Sequence, residues 1–181
     1  MRYLFWLSVV AWWIMDFYVL VLRKGSYSKI LDKKSKLVVV VLILIGVILA
    51  VAPENFRTVW RTREFGAFQI FGTFTVLFGV IIRLLAILNL GEHFSGDIVI
   101  GPEKKLVQRG LYKKIRHPSY TGEIISFIGL GLVFQHIPSS IFISVFPFLA
   151  FLYRAILEEK NLHREFGDEF IEYKKRTRMF I

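Results

Sequence analysis

RHPSYTGEIISFIGLGLVFQHIPSSIFISVFPFLAFLYRAILEE, residues 116–159, holds two apolar runs, one from about Tyr120 to His136 and one from Ile141 to Leu157. Crossing roughly 30 Å of hydrocarbon takes about 20 helical residues at 1.5 Å each. Two such runs separated by HIPSS predict a tight antiparallel helical hairpin in a membrane. Both ends of the hairpin at its open side are polar. Arg116, His117, Tyr120 and Glu123 crowd its entry, and Arg154, Glu158 and Glu159 its exit.

Upstream lie three more apolar runs, at residues 3–22, 37–52 and 66–90. The 181 residues are 55% hydrophobic, with a mean hydropathy of +0.53. That is too apolar for an ordinary soluble domain. The expected fold is an all-α integral membrane protein of about five transmembrane helices, with a C-terminal helical hairpin and an amphipathic cytoplasmic tail helix. A single domain, 1–181, is expected, with N-terminal spans in 1–90 and the loop, hairpin and tail in 91–181. In the tail, Leu162, Phe166, Phe170 and Tyr173 recur at helical spacing between charges. The first run is too long for a signal peptide and no small-residue cleavage site follows it, so it reads as a span.

The absence of cysteine excludes disulfides, thiolate zinc sites and thiol nucleophiles. His93, His136 and His163 are scattered and form no metal-ligand pattern. A net charge of +10 suits nucleic acid in principle, but the basic residues fall in blocks between apolar runs. The positive-inside rule explains that pattern better. Residues 23–36 hold Arg23, Lys24, Lys29, Lys33, Lys34 and Lys36, and 91–119 hold Lys104, Lys105, Arg109, Lys113, Lys114 and Arg116. With the basic tail beyond Lys160, all three segments fall on one side. The N-terminus is then outside, 53–65 with Arg57, Arg61 and Arg63 is outside, and the C-terminus is cytoplasmic.

Ionisable residues within spans are functional candidates whose partners have to be named. Asp16 and Arg83 lie at similar depth, which suits an ion pair; a chemical role and snorkelling are the other readings. Glu123 and Arg154 sit on the two arms of the hairpin and can face one cavity. Arg154 and Glu158, four apart, also share a helix face. Arg116 reads either as a positive-inside anchor or as a phosphate-facing residue. Gly122, Gly129 and Gly131 suit close helix packing. With His117 and Tyr120, the charges make a polar cluster at the inner leaflet, where a water-soluble cofactor and a lipid-soluble substrate can meet.

LVQRGLYKKIRHPSYTG, residues 106–122, followed by the hairpin, by Arg154, Glu158 and Glu159, and by Phe166, Gly167 and Tyr173, resembles the isoprenylcysteine carboxyl methyltransferase family and its phospholipid methyltransferase relatives. The resemblance covers about residues 90–180. It implies methyl transfer from S-adenosylmethionine to a lipophilic acceptor delivered from the membrane, such as the carboxylate of a prenylated cysteine. Its implied cofactor contacts are Leu106, Val107, Tyr112, His117, Pro118, Ser119, Tyr120 and Glu158, with Arg154 positioning the acceptor. It implies a multi-pass protein of the plasma membrane in a prokaryote or of the endoplasmic reticulum in a eukaryote. Where the family often carries a histidine two residues before the Leu-Val pair, this chain has Lys104, and Asp97 aligns loosely with another cofactor contact. Two other readings stay open at this level. Arg-His-Pro-x-Tyr-x-Gly-Glu, ending on Glu123, also resembles a turn of membrane NADPH-dependent sterol reductases, and a non-enzymatic membrane scaffold or transporter is compatible with the spans alone.

Overall fold

Each apolar run is helical over most of its described residues in the computed structural model, which describes residues 2–17, 19, 29–30, 33–52, 66–91, 99–100 and 106–181. The helices are α1 (Arg2–Phe17), α2 (Lys33–Ala50), α3 (Ala67–Leu90), α4 (Pro118–Phe134) and α5 (Ile137–Lys175). The segment 53–65 with Arg57, Arg61 and Arg63, and Arg23, Lys24, His93, Asp97, Lys104 and Lys105, lie outside the described residues. Apart from the helices, β1 (Lys29–Ile30) pairs antiparallel with β2 (Val99–Ile100), joining the segment after α1 to the one after α3.

Among the described residues, α3 (24 residues) and α5 (39 residues) are long and apolar enough to cross a membrane. The described parts of α1 and α4, at 16 and 17 residues, fall short of the usual length of about 20. Buried Trp12, Val39, Val76, Phe127, Ile143 and Phe151 form the core between the helices. Phe68, Phe71, Phe74 and Phe78 of α3 face outward and exposed. An apolar exterior around a small core suits lipid as solvent.

Small residues set the helix spacing. A Cβ on Gly79 would stand 2.5 Å from the Gly122 carbonyl, and one on Gly129 would stand 2.8 Å from that of Gly72. The backbones of α3 and α4 therefore touch along two glycine pairs, which is how helices associate where no hydrophobic gradient drives them together. Gly131 plays the same part toward Ser144 of α5. The hairpin turn is as short as its sequence suggests. Gln135 closes α4 in the left-handed region (φ 50), and His136 caps α5 by accepting from the Ser139 amide at 3.4 Å. Ser139 Oγ donates to the Ala50 carbonyl at 2.7 Å, fastening the turn to α2.

Instead of a separate tail helix, α5 runs on beyond the apolar segment to Lys175 and breaks once, at Gly167 (φ 49, ψ −121). Glycine tolerates that backbone at little cost. Past the break, Phe170 and Tyr173 are buried, so the tail packs inward on the loop before α4.

Candidate functional site

The loop before α4 is built by local constraints. Gly110 turns the chain with φ 58 beside the Asn89 side chain, where a Cβ would clash, and opens the short 3-10 helix Gly110–Lys113. That turn buries Tyr112, whose carbonyl accepts from the Tyr173 hydroxyl at 2.7 Å. Burial first, then the nearby Glu158 carboxylate, push the Tyr112 phenol well above its usual pKa. Burial likewise pushes Tyr173 up to about 12, so both stay neutral hydrogen-bond donors. Pro118 occupies the first helical turn of α4, where its missing N–H costs nothing and its fixed φ favours the helix.

His117 and Tyr120 leave this loop with their rings stacked, 5.4 Å apart and 7° from parallel, and Tyr120 stacks in turn on Phe151. Arg154 Nε donates to the Tyr120 hydroxyl at 2.9 Å, and that hydroxyl donates to Glu158 Oε2 at 2.9 Å. Arg154 and Glu158 thus meet through Tyr120. His117 Nδ1 stands 3.6 Å from Glu158, and its buried Nε2, 3.4 Å from Glu159, lacks an aligned hydrogen-bond partner among the described residues. Glu159 is a hub that receives Arg116 Nε at 2.7 Å and Lys174 Nζ at 2.8 Å. Burial pushes its carboxyl up, but His117, Lys174 and Arg116 outweigh burial and hold it at about 2. Arg116 also lines the cavity described below. Its side chain is 7% exposed and turned into the protein.

A second polar group lies deeper. Arg83 bridges Asp16 of α1, at 2.8 Å, and Glu123 of α4. Trp12 Nε1 donates to the other Glu123 oxygen at 3.0 Å. The expected Asp16–Arg83 pair is present, with Glu123 as its third member. Trp12 was not singled out from the sequence, although it sits four residues before Asp16 and so shares its helix face.

Both groups line one cavity of about 620 Å³. At one end stand Leu106, Val107, Tyr112, His117, Ser119, Tyr120, Arg154 and Glu158; toward the other end the wall is apolar, with Val47, Phe127, Leu130, Phe134 and Ile143. Eight of the nine expected site residues thus face the same space. Pro118 does not, being fully buried behind the loop it shapes. Glu159 and Arg116 were underrated by sequence reasoning because their partners, Lys174 and Thr177, belong to the tail.

This arrangement defines a helical membrane protein whose helices line a partly open cavity that is charged at one end and apolar at the other. The profile of the isoprenylcysteine carboxyl methyltransferase (ICMT) family matches residues 71–164, and the chain belongs to that family. It is 35% identical over 109 residues to protein-S-isoprenylcysteine O-methyltransferase B of Arabidopsis thaliana, covering 59% of this chain and 55% of that one. It is 32% identical over 102 residues to the Schizosaccharomyces pombe protein-S-isoprenylcysteine O-methyltransferase, covering 55% and 43%. With the Homo sapiens protein of the same name it shares 33% identity over 110 residues, covering 59% and 38%. The chain spans about half the length, or less, of these curated relatives.

Proposed function

We propose that this chain is an integral membrane methyltransferase that uses S-adenosylmethionine to methylate a lipophilic carboxylate, such as that of a prenylated cysteine. The observation that carries this reading is the continuous cavity joining the His117–Tyr120–Glu158–Arg154 cluster to an apolar tube among the helices. The family and the names of its relatives support the same reaction.

The residues at the polar end suit the donor. The His117 ring lines the cavity and can offer a hydrogen bond to a small polar ligand, and Glu158 offers an acceptor for an amine or ribose hydroxyl. Leu106, Val107, Tyr112 and Tyr120 supply apolar and aromatic surface around them, favourable to a sulfonium, and Ser119 adds a hydroxyl. Pro118 contributes by fixing the loop. Bound there, S-adenosylmethionine would supply an electrophilic methyl on a sulfonium, which leaves as a neutral thioether once the acceptor oxygen has taken the methyl. An acceptor carboxylate is already anionic and needs no general base. Arg154, held by Tyr120, orients that carboxylate, and the apolar walls of the cavity reduce the water around both reacting charges. Glu123, the residue that kept the reductase reading open, is engaged by Arg83 and Trp12 instead.

The reading includes five spans, with the N-terminus outside and the polar end of the cavity cytoplasmic. The pairing of β1 with β2 supports a common side for the two basic loops, and the packing of the tail on residues 106–117 adds the third. The address is the plasma membrane in a prokaryote and the endoplasmic reticulum in a eukaryote.

The test is transfer of tritiated methyl from S-adenosylmethionine by purified protein to S-farnesylcysteine or to an amine phospholipid. Label that enters farnesylcysteine and is released by base as methanol is the expected result, because a methyl ester hydrolyses. Base-stable label on the phospholipid would move the acceptor to an amine, and transfer to neither would refute the proposal.

A further inference from the structure

Residues 177–180 form a strap against the loop that carries His117, outside the residues that line the cavity. This strap leaves the end of α5 and runs back along residues 114–117, with Ile115 and Arg178 forming a parallel bridge. Three backbone hydrogen bonds hold it: Arg178 N–H to the Lys114 carbonyl at 2.9 Å, Arg116 N–H to the Arg178 carbonyl at 2.8 Å, and His117 N–H to the Met179 carbonyl at 3.2 Å. The Arg116 guanidinium crosses the join, donating to Glu159, to the Thr177 carbonyl and to Thr177 Oγ1 at 3.3 Å. Beyond the bridge, the Phe180 ring lies 6.2 Å from that of His117 and 6.5 Å from that of Phe148 on α5.

We infer that the strap is a positioning element of the donor site, with Arg116 and Phe180 its principal positioning residues; the inference rests on the methyltransferase reading above. His117 is the residue it controls. The Met179 carbonyl takes the His117 amide, the Phe180 ring lies near the His117 ring that stacks on Tyr120, and Arg116, which the strap holds through Thr177, pairs with the Glu159 carboxylate beside Nε2. Backbone, ring and polar surroundings of His117 thus each have a contact that leads to the strap. A side chain that must present one nitrogen to a ligand gains from a shell that fixes its rotamer. Lysine at 116 would not replace arginine, since one ammonium on a flexible stem lacks the planar fork that reaches Glu159 and Thr177 together.

The experiment compares wild type, Phe180→Ala, Arg116→Ala and Arg116→Lys in detergent. It uses S-adenosylhomocysteine binding by calorimetry, the KM values for donor and acceptor, and amide hydrogen exchange of the 114–117 segment. Both alanine variants are expected to exchange faster there and to bind S-adenosylhomocysteine about tenfold more weakly. The KM for S-adenosylmethionine should rise in step while that for the acceptor stays put, and Arg116→Lys should not restore it. A merely structural strap would lower the active fraction, and so kcat, without moving the donor KM. Faster exchange with unchanged affinity and donor KM overturns the inference. Phe180→Ala, at a half-buried position, decides the matter if Arg116→Ala fails to fold. Wild type that binds no S-adenosylhomocysteine overturns the methyltransferase reading and this inference with it, and its exchange pattern still reports whether the strap is docked.

Discussion

Two polar groups share the cavity wall, and they are built differently. The deep one, Trp12, Asp16, Arg83 and Glu123, sets one cation between two carboxylates on three helices, and Glu123 within it is 1% exposed. The shallow one, His117, Tyr120, Arg154 and Glu158, joins the loop and the start of α4 to α5 through the neutral Tyr120 hydroxyl. Each group keeps buried atoms without an aligned hydrogen bond among the described residues, Asp16 Oδ1, Arg83 Nε and Glu123 Oε1 in the first and His117 Nε2 in the second. Satisfaction of hydrogen bonds therefore does not tell the two apart. What differs is that ion pairs in the deep group tie α1 to α3 and α4, whereas the shallow group is a chain of hydrogen bonds between a loop and a helix.

The largest expected effect breaks the deep group. Arg83→Ala leaves two carboxylates without their shared cation and should cost about 3–5 kcal/mol of stability in detergent unfolding. A loss under about 1 kcal/mol would mean that these ion pairs do not hold the helices together. Next comes the shallow group, where Arg154→Ala should lower kcat/KM for the acceptor by about a hundredfold while leaving the dissociation constant of S-adenosylhomocysteine nearly unchanged. Equal loss of both would place Arg154 with the donor instead. Gly79→Ala acts on the spacing that lets Arg83 reach Glu123, since a Cβ on Gly122 would itself stand 2.8 Å from Arg83 N. Overpacking of this kind should cost about 1–3 kcal/mol, read as a lower thermal midpoint.

The smallest effect is a pH dependence outside the membrane. Glu159 titrates at about 2 in the folded protein, below its unbound value of 4.5. A lowered carboxylate pKa adds stability that is complete above the unfolded value and disappears as pH falls through the folded one. The thermal midpoint should therefore drop between about pH 5 and pH 2, and Glu159→Gln should flatten that slope. An unchanged slope in the variant would assign the acid sensitivity elsewhere.

The hairpin was legible because its evidence is local: two apolar runs, a five-residue turn and a proline at each helix start. The polar cluster at the span edges was legible from its residues, and of the nine site residues that the family resemblance implied, eight line the cavity. What sequence reading lacked was long-range closure. Arg116 looked like a surface cation because its partners, Glu159 and Thr177, are 43 and 61 residues away. Trp12 drew no notice, since its acceptor lies 111 residues on. Gly72 and Gly79 drew no notice beside Gly122 and Gly129, because a packing seam shows only when both helices are aligned against each other. The tail reads as amphipathic either way, and only the break at Gly167 turns it inward to clasp the loop.

The most direct test of the central claim is calorimetric binding of S-adenosylmethionine, S-adenosylhomocysteine and NADPH to the detergent-purified protein, with His117→Ala and Glu158→Ala alongside. The account predicts that the first two bind, that both variants lose them, and that NADPH does not bind. Binding of NADPH alone, or binding of S-adenosylmethionine that survives in both variants, would contradict it.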